Sequence, residues 1–152
     1  MDEDFAEKLI KGKIAEIIFA QMFREEEKYS VIPFGYENTM PGLINRGVSS
    51  IARQVRKNIS TAPDFVLILD NKDIFLVEVK YRKELNKEKI QDIAGKQKMR
   101  WNPSWIFLST PDGFYFDSCT NIIEHQGDMK KLGFIGKDSQ EKYLKLLNRF
   151  EK

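Results

Sequence analysis

The chain has 152 residues, inside the range of one domain with a sizeable core, and its 41% hydrophobic and 32% charged residues exclude a disordered or fibrous polymer. No apolar run approaches the roughly 20 residues of a bilayer-spanning helix, and Met1-Asp2-Glu3-Asp4 is acidic where a secretory signal is basic and then apolar. The one cysteine, Cys119, excludes an internal disulfide and a Cys-rich zinc site, so a reducing, cytoplasmic setting is expected.

Helical spacing of Phe5, Leu9, Ile10, Ile14, Ile17, Ile18 and Phe23 predicts a helix over 4–26. A short strand is expected over 29–36, then a turn at Met40-Pro41-Gly42 and a short basic helix over 49–58 with a serine cap. The β-branched and aromatic runs at 65–69 and 74–79 flank Asp70-Asn71-Lys72-Asp73, which has hairpin turn chemistry. A helix over 87–101 stops before Asn102-Pro103. Strands at 105–108 and 114–116 surround Pro111-Asp112-Gly113, and a last amphipathic helix over 139–150 places Tyr143, Leu144, Leu147 and Phe150 on one side. Hairpins with helices between them predict an α/β chain, read as one domain over 1–152, with a mixed sheet flanked by helices.

Net charge is only +2, but it is unevenly spread. Arg46, Arg53, Arg56 and Lys57 stand in a stretch without acids. From Lys80 to Arg100, eight basic residues face Glu84, Glu88 and Asp92. Such asymmetry fits a positive face for phosphates, and equally a solvated lysine-rich surface.

The 65–79 hairpin carries charge where its pattern has no use for it. Asp64 precedes the first strand, and Glu78 and Lys80 close the second on one face, with Val79 on the other. Pairing centred on Asn71 puts Asp64 across from Glu78, and pairing centred on Lys72 puts it across from Lys80. Both need an odd-length loop or a bulge. Two carboxylates this close repel, which a divalent cation relieves, and hard oxygen donors suit magnesium. The alternative is a cross-strand acid–lysine pair on a solvated face. Glu16 is expected within about 50–60° of Phe5, Leu9, Gly12, Phe19, Ala20 and Phe23 on the first helix, so it needs a partner, either a basic residue or the same metal.

A helix with a central glutamate, then a strand, then Pro63-Asp64 and, after thirteen intervening residues, Glu78-Val79-Lys80 resembles the core of the PD-(D/E)XK nuclease superfamily. That superfamily holds restriction endonucleases, archaeal Holliday junction resolvases and RecB-like nucleases. Gly12-Lys13-Ile14-Ala15-Glu16 looks like the first helix of the resolvase-type members. The resemblance implies a restriction-endonuclease-like fold and Asp64 and Glu78 as ligands of magnesium, with manganese as a substitute. It also implies the Val79 carbonyl and Glu16 as further ligands, and Lys80 assisting the attacking water. Gln97, with Trp101 four residues on, is similar to the Gln-x-x-x-Tyr element of RecB-like members, with Trp in place of Tyr.

The expected activity is metal-dependent hydrolysis of phosphodiester bonds in DNA, ahead of RNA, with no membrane partner and a homodimer left open. Arg53, Arg56, Lys57, Lys96, Lys98 and Arg100 are the expected phosphate contacts. An inactive nucleic-acid-binding module and a structural subunit of the same fold are the alternatives. His125 receives no role, and Cys119 reads as a buried core residue.

Overall fold

The computed structural model describes residues 3–34, 62–70 and 73–150. Along the chain they form α1 (Glu3–Glu25), β1 (Tyr29–Pro33), β2 (Phe65–Leu69), β3 (Ile74–Tyr81), α2 (Lys87–Arg100), β4 (Trp105–Thr110), β5 (Gly113–Ser118), α3 (Cys119–Glu124) and α4 (Lys137–Arg149). The expected strands and three long helices are all present within a few residues. The six-residue α3, capped by Ser118 Oγ accepting from the Asn121 amide, was not foreseen. The helix expected over 49–58, the turn at Met40-Pro41-Gly42 and the residues Arg53, Arg56 and Lys57 lie outside the described residues.

The five strands form one mixed sheet in the order β1-β2-β3-β4-β5. Every neighbouring pair is antiparallel except β3 and β4, which run parallel and are joined through α2. Side chains alternate across the sheet. Phe65, Leu67, Val77, Val79 and Phe107 meet α1 and α4 on one face, and Ile106 and Leu108 meet α2 and α3 on the other. Phe19 of α1 is the hub of the larger core, with ring centroids 4.9–5.1 Å from Phe23, Phe65 and Phe107. The chain is therefore α/β, with helices on both faces of a mixed sheet. Among the described residues no helix is long and apolar enough to cross a membrane.

Two contacts fix helices against their neighbours. Glu25, at the end of α1, accepts from Tyr143 Oη and from Lys142 Nζ of α4, the latter at 2.9 Å. Gly127 has φ +91°, and a Cβ there would come within 2.1 Å of the Lys87 carbonyl oxygen. Only glycine lets this turn lie so close against the first turn of α2.

Candidate functional site

Phe65 pairs with Val77, Val66 with Leu76 and Ile68 with Ile74, so opposed residues sum to 142. The Leu69 amide donates to the Asp73 carbonyl at 3.0 Å, which leaves an odd loop of three residues. This is the register centred on Asn71, and its next rung sets Asp64 opposite Glu78. The Val79 amide donates to Asp64 Oδ2 at 2.8 Å.

Glu78 and Lys80 share one face of β3, with Nζ 3.3 Å from Glu78 Oε2. The Glu78 side chain is 15% exposed, and its Oε1 is buried without a hydrogen-bond partner. Burial first, and the nearby Glu78 charge second, push the Asp64 carboxyl up to about 8, against the lowering effects of the Val79 amide and of Lys80. At neutral pH Asp64 therefore keeps its proton beside Glu78.

Asp64, Glu78, Val79, Lys80 and Glu16 all line one cleft of about 880 Å³ between α1, the end of β3 and the start of α2. Glu16 differs from expectation in its setting. The buried face of α1 runs through Lys11, Ala15, Ile18, Phe19, Met22 and Phe23, while Phe5 and Leu9 are more than half exposed. Residues 3–10 stand clear of the core, so periodicity alone misplaced the centre of the stripe. Glu16 lies at its edge with a side chain 27% exposed, 3.6 Å from Lys13.

The expected residues of α2 are elsewhere. Gln97 is buried beside Ile90 and Ala94 on the inner side of the helix, and its carbonyl accepts from the Trp101 amide at 2.9 Å. Lys96 is exposed and paired with Asp92 at 3.0 Å, Arg100 is exposed, and Lys98 is half-buried. None of these four lines the cleft. The basic residues that do are Lys8, Lys11, Lys80, Arg82, Lys83 and Lys89. Arg82 and Lys83 follow Lys80 with only Tyr81 between, a signal present in the sequence. The burial of Lys11, by contrast, leaves no mark in a helical pattern.

Among the described residues no group of three or more His, Cys, Asp and Glu side chains is arranged to hold a metal ion. Two carboxylates are nonetheless a sufficient protein contribution for magnesium, which keeps most of its waters. Glu78 Oε1, without a hydrogen-bond partner, and the buried Asp64 carboxyl beside it are the donors that such a cation would use. No protein-family model matches the chain, and no curated protein does. The functional reading thus rests on the cleft itself.

Proposed function

We propose that the chain is a metal-dependent nuclease of the PD-(D/E)XK type with a restriction-endonuclease-like fold, hydrolysing phosphodiester bonds of nucleic acid, DNA ahead of RNA. The observation that carries this reading is the convergence of Asp64 and Glu78 across the β2–β3 hairpin, with Lys80 3.3 Å from Glu78 and Glu16 in the same cleft. A buried carboxyl pair with one oxygen left without a hydrogen-bond partner is a poor structural element, because an unsatisfied buried polar atom costs about 1–3 kcal/mol. It is a good ligand set for a hard divalent cation.

Asp64 and Glu78 would hold magnesium, or manganese in its place, with the Val79 carbonyl and Glu16 as further donors. When bound, such an ion neutralises phosphate charge and acidifies water. The protein's own part is positional. The Val79 amide orients Asp64, β3 holds Glu78 and Lys80 on one face, and Lys80 offers a cation to charge developing on the phosphate. The test is a panel of labelled duplex, junction, single-stranded and flapped DNA, and RNA, incubated with magnesium, manganese or EDTA. Cleavage that needs the metal and disappears in Glu78→Gln supports the reading; no cleavage of any form contradicts it.

A binding module without cleavage is the second reading. It is favoured by the basic rim of the cleft and, among the described residues, by the lack of a group of three side chains arranged to hold a metal. Metal-independent binding to nucleic acid without hydrolysis is what it would show.

A further inference from the structure

Lys11 has no task in the reading above. It lines the same cleft as Asp64, Glu78 and Lys80, its side chain is only 8% exposed, and its Nζ lies 3.0 Å from Glu7 Oε1. The ammonium also stands 5.5 Å from the ring centroid of Tyr81, the residue after Lys80. Burying an ammonium is costly, and the Glu7 carboxylate that it meets is 56% exposed. A methionine would cover the Tyr81 ring without that cost. Glu16 and Glu78 already give the cleft negative charge that repels a phosphate, and Lys80 is tied to one of them.

We propose that Lys11 is a phosphate-binding residue of this cleft, with Glu7 as its placeholder: a backbone phosphate of the bound strand takes the ammonium, and Glu7 turns out to solvent. The exposure of Glu7 leaves it free to turn, whereas the Lys11 stem is held by its burial. Asp4 and Lys8, 3.3 Å apart one turn earlier, repeat the arrangement at the mouth of the same cleft. The identity of the ligand rests on the nuclease reading; the exchange of one anion for another rests on the geometry of α1.

The experiment uses the full chain in magnesium and a labelled single-stranded oligonucleotide with phosphorothioate linkages, which keep the backbone charge and resist hydrolysis. Fluorescence anisotropy at several salt concentrations is read beside the melting temperature. Lys11→Met should weaken binding about tenfold, as the loss of one charged hydrogen bond does, and lower the salt slope by about one, without lowering the melting temperature. Glu7→Gln should tighten binding by about two- to fivefold, the scale of an exposed ion pair. Binding by Lys11→Met equal to the parent in affinity and slope would overturn the assignment and leave the nuclease reading standing. A parent chain that does not bind the oligonucleotide would overturn the assignment, and the cleavage panel then decides the nuclease reading. If Lys11→Met is too unstable to titrate, Glu7→Gln decides, and an affinity unchanged from the parent overturns the exchange.

Discussion

The Val79 amide holds Asp64 through a 2.8 Å hydrogen bond to Oδ2, and in doing so sets the Asp64 carboxyl against that of Glu78. A backbone donor on β3 thus fixes a side chain that precedes β2. Its position depends on strand pairing rather than on a side-chain rotamer alone. The resulting carboxyl contact is unfavourable for the folded chain by itself, and this has measurable consequences.

The first is a dependence of stability on pH. Asp64 ionises near pH 4 in an unfolded chain and at about 8 in the folded one. Between those values the folded state holds a proton that the unfolded state has lost, so stability falls as pH rises and the loss is complete above about pH 8. Asp64→Asn should flatten this fall and melt higher than the parent at pH 8. Urea melts at pH 5, 6.5 and 8 provide the check, and parallel profiles for the two proteins would contradict it.

Phe19 offers a test of how α1 is anchored over the sheet. It is fully buried among Phe23, Phe65 and Phe107. Phe19→Ala should cost about 3–5 kcal/mol, and Phe19→Leu distinctly less. Denaturant unfolding measures both; a loss below about 1 kcal/mol for the alanine would mean that α1 is not seated as described.

Gly127→Ala should destabilise the protein and disturb the start of α2, since the added methyl meets the Lys87 carbonyl and the residue sits at φ +91°. A lower melting temperature, with faster amide exchange at residues 87–90, is the expected outcome. An alanine variant as stable as the parent would show that the turn adapts without strain.

The basic rim makes a prediction that differs from the one the sequence suggests. Neutralising Arg82, Lys83 and Lys89 should weaken nucleic-acid binding at every sequence and flatten its salt dependence, because these residues line the cleft. Neutralising Lys96, Lys98 and Arg100 should do so much less. Salt titrations of the two triple variants settle the comparison, and the reverse ranking would place the binding face on the outer side of α2.

The sheet was legible because its strands are β-branched and aromatic, and because alternation fixes which side chains share a face. Asp64, Glu78 and Lys80 could therefore be set together before any coordinates. Alternation could not choose between pairing centred on Asn71 and on Lys72, since both keep the same face; the three-residue loop chose. The first helix was legible as a helix and not as a packed one. Its period reports which residues align, whereas the reach of the sheet beneath it decides which are covered, so Phe5 and Leu9 are exposed and Lys11 is buried. The helix α3 escaped because six residues following a strand give no periodicity to read. Gln97 resembled a site residue by spacing; it is buried on the inner face of α2 with Ile90 and Ala94 and is not among the residues that line the cleft.

The central claim is that Asp64, Glu78 and Lys80 form a hydrolytic centre, with Lys80 acting on the transition state. Single-turnover cleavage by Lys80→Ala, with saturating enzyme and magnesium, tests this most directly. A positioned cation that stabilises developing charge is worth about 3–4 kcal/mol, so the rate should fall roughly 10²–10³-fold while DNA affinity stays near the parent's. A Lys80→Ala variant that cleaves as fast as the parent would contradict the account and leave the 3.3 Å contact with Glu78 as an ordinary ion pair.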